Sequence, residues 1–265
     1  MRFRRIVTLF SLLAITSSST ASAQLSREKV ASSLQLGIRY LKSVQERDGS
    51  WTRTGNQYPV GVTSLAVMAL LNSQVPVSDP VVQRGLTYLR SIPPEQWQVV
   101  TGGHENYELS LMLMALVIAD QDRDRELILR LASRIEQAQV SRGENRGGWG
   151  YRLIPKGENV GLGADESNSQ YSLLALREAA NYGVPIQRET WERAKRYWEE
   201  RQNADGGWGY RGARSSSGSM TVAGIASSVI CQTMLGDASD AIDCCRIREP
   251  DESLKKAIDW MSQNF

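Results

Sequence analysis

One phrase, written twice in full and several times in part, constrains this chain more than its composition does. Gly37 to Trp51 and Ala194 to Trp208 share one pattern: an aromatic and an apolar residue, three others, Gln, three others, then Gly-x-Trp. Tyr40-Leu41, Gln45, Gly49 and Trp51 align with Tyr197-Trp198, Gln202, Gly206 and Trp208. The segments Arg146 to Arg152 and Asp205 to Arg211 carry a second match, Gly147-Gly148-Trp149-Gly150-Tyr151 against Gly206-Gly207-Trp208-Gly209-Tyr210. Weaker copies lie between. Arg84 to Leu89 repeats the opening of the phrase, but Pro93 stands in the glutamine slot and Trp97 follows loosely. Leu131 to Gln139 precedes Gly147 with extra residues, and Lys256 to Phe265 starts a fifth copy with Trp260 in the tyrosine slot. Self-similarity at roughly 45–60 residues is the mark of a repeat architecture.

Each copy of the phrase ends an amphipathic segment. In the first, Leu34, Ile38 and Leu41 share one helical face and Arg39, Lys42 and Glu46 the other. A different kind of segment follows: Val60 to Leu71, Tyr107 to Ala119, Ser169 to Ala180 and Met220 to Met234 are apolar almost all round. Such helices are expected to be buried on every side. Strand patterning is confined to stretches such as Gln98-Val99-Val100. The sequence therefore predicts an all-α fold with an outer helix, a Gly-Trp turn and an inner helix in each repeat.

The phrase has a physical reading. Glycine after a helix supplies the backbone freedom that stops it. The tryptophan folds back, burying a large ring whose N–H needs an acceptor. The glutamine, on the last helical turn, has an amide within reach of free backbone groups. Gln45, Gly49, Trp51, Gly147, Trp149, Gln202, Gly206 and Trp208 are thus expected to be structural staples that close each hairpin. They also account for the aromatic content, in which seven tryptophans and nine tyrosines stand against three phenylalanines.

At these residues the chain resembles the QW-motif proteins, the squalene and oxidosqualene cyclases, with protein prenyltransferase β-subunits as more distant relatives. Gly37 to Trp51 and Ala194 to Trp208 carry the resemblance. It implies an (α/α) toroid, with inner helices around a central cavity and the Gln-Trp turns at one rim. About four hairpins and one extra helix fall short of the six that such a ring uses. The expectation is an incomplete ring: part of a longer chain, or an open arc whose apolar flank needs a partner.

The catalytic signatures implied by the resemblance are missing. There is no D-x-D-D. The nearest acidic pair, Asp165-Glu166, precedes an inner segment, where burial could keep a carboxylic acid protonated; the alternative is an N-terminal cap favoured by the helix dipole. The zinc set of prenyltransferases has no counterpart either, since His104 is the only histidine, no CxxC occurs and every cysteine lies far from His104 in the sequence. No metal or cofactor is expected. His104 either faces the cavity or sits in a solvated loop. Asp120-Gln121-Asp122-Arg123-Asp124 has a hint of calcium spacing. Arg125 in place of the turn glycine and Leu131 at the twelfth position favour a solvated loop instead.

Other toroid chemistry leaves fainter traces. A Cys-x-Glu-Gln thioester is absent. Glycan lyases work with Tyr, His, Arg and Asn, and His104, Asn106, Tyr107 and Arg152 match that composition. Tyr151 and Tyr210, each followed by arginine, could receive a sugar or a carboxylate, or could simply be twin hairpin residues.

The N-terminus reads as an export signal: Arg2, Arg4 and Arg5, an apolar run from Ile6 to Ile15, then Ala21-Ser22-Ala23. Residues 1–23 are expected to be removed, leaving 24–265 as one repeat domain of a secreted or periplasmic protein. No later segment reads as a membrane span. Without the three leader arginines the 31 basic residues fall to one fewer than the 29 acidic ones, so no field favours nucleic acid. Export permits a disulfide between Cys231 and either Cys244 or Cys245; equally, all three could be thiols with Cys231 packed in a helix. The functional expectation is a catalytically unproven binding or interaction module. Its partner would be an apolar or isoprenoid ligand, a glycan, or a protein completing the ring. A terpenoid cyclase using Asp165 or Glu166, and a glycan lyase, are the alternatives.

Overall fold

Helix starts follow the local chemistry. Ser26, Asp79, Asp165 and Ser217 each accept a hydrogen bond from a first-turn backbone N–H, the bonds that N-terminal caps supply. Pro59 opens a further helix, and Pro80 the one that Asp79 caps, at the position where a missing N–H costs nothing. A computed structural model describes residues 26–52, 58–155, 158, 163–236 and 251–264. The leader, Cys244 and Cys245 lie outside the described residues.

The described residues are all-helical: α1 Arg27–Ser43, α2 Pro59–Asn72, α3 Pro80–Arg90, α4 Trp97–Val100, α5 Glu105–Ala119, α6 Arg125–Gln137, α7 Glu166–Asn181, α8 Arg188–Glu200, α9 Gly218–Leu235 and α10 Glu252–Asn264. Helices α2, α5, α7 and α9 pack on one another in series. Helix α3 lies on α2, α6 on both α5 and α7, and α8 and α10 on α9. The four helices in series are those expected to be inner. The strand-like Gln98-Val99-Val100 is helical instead: Pro94–Gln96 forms a 3-10 turn that runs directly into α4, and buried Trp97 anchors it.

Two of the inner helices, α2 and α9, are not buried all round. Leu65 in α2 is 48% exposed, and Val222 and Val229 in α9 are 48% and 44% exposed. Helices α2 and α9 give part of their circumference to neighbours in the series and leave apolar residues open, whereas α5 buries twelve of its fifteen residues. Helix α1 goes further and buries none of its residues, leaving Val30, Leu34 and Tyr40 exposed. Helix α9, contrary to the sequence expectation, is apolar over a length that could cross a bilayer. It packs against α7, α8 and α10, burying Thr221, Gly224, Ser227 and Cys231 on that side. Cys231 is a free thiol there, its pKa pushed up to about 12 by burial.

The recurring phrase makes the same bonds three times. The indole Nε1 of Trp51, Trp149 and Trp208 donates to the carbonyls of Leu41, Ile135 and Trp198 at 2.9, 2.7 and 2.9 Å. Their backbone N–H groups donate to Thr63, Ser169 and Thr221 on the next helix. The glutamine does something else. Gln45, Gln139 and Gln202 each donate to the motif glycine's carbonyl and to a second carbonyl at the start of a later helix: Val81 in α3, Thr190 in α8 and Ser253 in α10. The tryptophan therefore bonds the helix before it to the helix after it, while the glutamine reaches the start of a later helix.

Glycine is required at the centre of each node. Gly49, Gly147 and Gly206 have φ of 94°, 94° and 93°. A Cβ there would lie 2.3, 2.1 and 2.6 Å from the carbonyl oxygens of Arg84, Arg193 and Lys256. The copy with Pro93 in the glutamine slot uses another device. Arg90 at the end of α3 makes a two-pronged pair with Asp124, at 2.6 and 2.7 Å, and also reaches Gln121. Asp124 is buried, so the acidic stretch expected to be a solvated loop is partly an inter-helix lock.

Candidate functional site

The N-terminal ends of α2, α5 and α7 meet, and most of the chemistry of the chain gathers there. Helix α2 has no side-chain cap of its own. Glu108, from the first turn of α5, supplies one: its Oε2 accepts the backbone N–H groups of Val60 and Gly61 at 2.9 and 3.0 Å. A carboxylate at a helix N-terminus is favoured by the dipole. Gly61 makes the approach possible, since a Cβ there would sit 3.1 Å from Glu108 Cγ. Glu108 is only 1% exposed, and its Oε1 has no hydrogen-bond partner. Burial pushes its pKa up to about 7, against the opposing pull of the two N–H groups.

Glu108 forms part of the wall of a pocket of about 240 Å³ between α2 and α5. Tyr58 and His104 stand at one end, with Val62, Leu65, Tyr107 and Leu111 completing the sides. Every surface that the pocket opens to solvent is apolar. The aromatic rings continue beyond it as a row. His104 packs edge-on between Tyr58 and Tyr151, with centroids 4.7 and 5.4 Å away, and Tyr107 touches both Tyr151 and Tyr171. Tyr107 also donates its hydroxyl to Ser167 at 2.7 Å, and burial raises its pKa. The Tyr151 and Tyr210 hydroxyls are 3.0 Å apart. That bond and burial push the Tyr210 pKa up to about 12. Arg211 lies over both rings, at 6.0 and 5.3 Å.

The four residues expected to bind, His104, Tyr107, Tyr151 and Tyr210, are thus brought together, and His104 lines a pocket rather than an open loop. Asp165 and Glu166 are placed differently. Asp165 caps α7, accepting from the backbone and side-chain nitrogens of Asn168 at 2.9 and 2.8 Å. Glu166 is fully buried, pairs with Arg201 at 3.3 Å and accepts the backbone N–H groups of Arg211 and Gly212. Glu105, the first residue of α5, has an equivalent set in Arg134 and the Leu153 N–H. Glutamate at the start of an inner helix is therefore a repeated lock onto the loop that follows the next helix. Asn106, a member of the lyase-like set, spends its amide on the Gly150 and Asn168 carbonyls and accepts from Ser110 and Ser172.

Sequence reasoning missed Tyr58, Glu108 and Tyr171. The signal for Glu108 was present: an acid inside a helix whose next residues, Leu109 to Ala119, include no charge. A larger groove of about 690 Å³ lies beside Trp97, Arg130 and Arg134. Its charged walls pair locally, Arg130 with Glu126 and Arg134 with Glu105, and nothing in them converges on a ligand. Among the described residues no three His, Cys, Asp or Glu side chains are placed to hold a metal ion.

No family model matches the chain, and a search of curated proteins finds no match to it.

Proposed function

We propose that the chain is a non-catalytic binding module of the QW-motif (α/α) toroid type, exported by its N-terminal leader. In this reading α2, α5, α7 and α9 line the concave side of an open arc, and α1, α3, α6, α8 and α10 form its outer layer. What supports the arc is the series packing of the inner helices together with the three-fold recurrence of the glutamine node. The exposed apolar face of α1 suits a further helix, from a protein partner or from additional repeats.

The observation that carries the binding reading is the α2–α5 pocket, whose open walls are apolar and in which Glu108 is the one ionisable group besides ring side chains among the described residues. At about 240 Å³ it is smaller than the roughly 300 Å³ at which drug-sized pockets begin. It suits the end of a chain or a head group, with the rest of an apolar ligand lying along the Leu65 stripe. A cyclase reading would need a proton donor in the cavity. Asp165 and Glu166 both act as acceptors of N–H donors, and neither lines the α2–α5 pocket.

Differential scanning fluorimetry with a panel of linear and isoprenoid alcohols tests the proposal. A concentration-dependent rise in Tm, abolished by Leu65→Glu, is expected. No shift with any member, or a shift that survives Leu65→Glu, would remove the binding reading. Terpenoid turnover lost in Asp165→Asn and Glu166→Gln would return the cyclase reading.

A further inference from the structure

The pocket described above carries a more specific assignment, which rests on the binding reading. We infer that it takes the ammonium end of an alkylammonium compound, with Glu108 as the counter-charge and the rings of Tyr58, His104 and Tyr107 as the surrounding cage.

The Glu108 carboxyl is held in place but half-satisfied. Two backbone N–H groups of α2 fix Oε2, while Oε1 is buried without a donor. A buried acceptor left unmade is costly, and a buried charge more so, unless an opposite charge arrives. The groups around it select what can arrive. Aromatic faces attract cations, most strongly when both are out of water. Among the described residues no lysine or arginine lines the pocket, so a carboxylate or phosphate would meet ring faces and another acid there.

The adjoining stretch of the aromatic row already receives a cation from the chain itself. The Arg211 guanidinium lies over Tyr151 and Tyr210. Gly61 keeps the Glu108 side chain close to α2. The aliphatic side chains of Val62, Leu65 and Leu111 then leave an apolar path for the ligand's tail.

Calorimetric titration of the full chain at about pH 8, where Glu108 is ionised, tests this with three probes: hexyltrimethylammonium, hexylammonium and hexanol. The trimethylammonium compound is expected to bind about tenfold or more tightly than hexanol. Glu108→Gln, which keeps a side-chain oxygen for the α2 N–H groups, is expected to erase that preference, bringing the trimethylammonium compound to the affinity of hexanol in the same variant. Tyr58→Leu, at a partly exposed position, is expected to weaken both ammonium probes about fivefold without touching the core. If Glu108→Gln does not fold, Tyr58→Leu alone decides. Hexanol binding as tightly as the ammonium probes, or an ammonium preference unchanged in Tyr58→Leu, overturns the assignment and leaves the apolar pocket standing. Binding by none of the three overturns both.

Discussion

The side-chain amide of Gln139 donates to the carbonyl of Thr190, 51 residues later in the chain, at 2.9 Å. Gln45 reaches Val81 and Gln202 reaches Ser253 in the same way. A turn motif that looks local is therefore the bond between successive repeats. Gln139 is the most buried of the three, and its amide nitrogen also serves the Gly147 carbonyl. Gln139→Leu leaves both carbonyls unserved and is expected to destabilise the chain by about 2–4 kcal/mol in urea unfolding. Gln45→Leu, in a partly exposed node, should cost about half as much.

Gly147→Ala should be worse than either. It combines an unfavourable φ with a Cβ only 2.1 Å from the Arg193 carbonyl oxygen. A loss of more than about 3 kcal/mol is expected. Gly143, also at positive φ but with open space around it, provides the control. Its alanine variant should lose only about 1 kcal/mol.

Glu166 is expected to behave as a structural ion. Removing one partner of a buried pair strands the other, so Glu166→Ala should cost about 3–5 kcal/mol. Arg201→Ala in the same background should then cost little more, because the interaction is already gone. Additive losses in that double-mutant cycle would show that the pair is not the source of the effect.

The raised pKa of Glu108 makes stability fall with rising pH. The protonated form is favoured in the folded state, so its stabilising contribution is complete below the ordinary value of 4.5. It is lost as pH rises through about 7. The size expected is about 3 kcal/mol across that window. Subtracting the unfolding free energy of Glu108→Gln from that of the wild type at each pH isolates it. A flat difference would contradict the burial of that carboxyl.

The sequence disclosed the staples and the alternation of amphipathic and apolar helices because those are periodic and local. Trp51, Trp149 and Trp208 each bond within fourteen residues of themselves through the indole, and composition and spacing reveal such a device. The glutamine's second acceptor was hidden because it depends on how repeats stack. The longer loop before Gly147 further obscured the role of Gln139. The exposed stripe on α2 was equally illegible: Leu65 and Leu70 are the same residue type, yet one is open and the other fully buried. Of the site, His104, Tyr107, Tyr151 and Tyr210 were visible as loop and rim aromatics. Glu108 was not, because its partners are backbone groups 47 and 48 residues away.

Saturable occupation of the α2–α5 pocket is tested most directly by isothermal titration of a hexyl-chain ligand into the wild type and Leu65→Glu across a range of temperatures. One-site binding with a negative heat-capacity change, the mark of apolar burial, is expected in the wild type and should disappear in the variant. Unsaturable heats in the wild type, or identical isotherms for the two proteins, would contradict it.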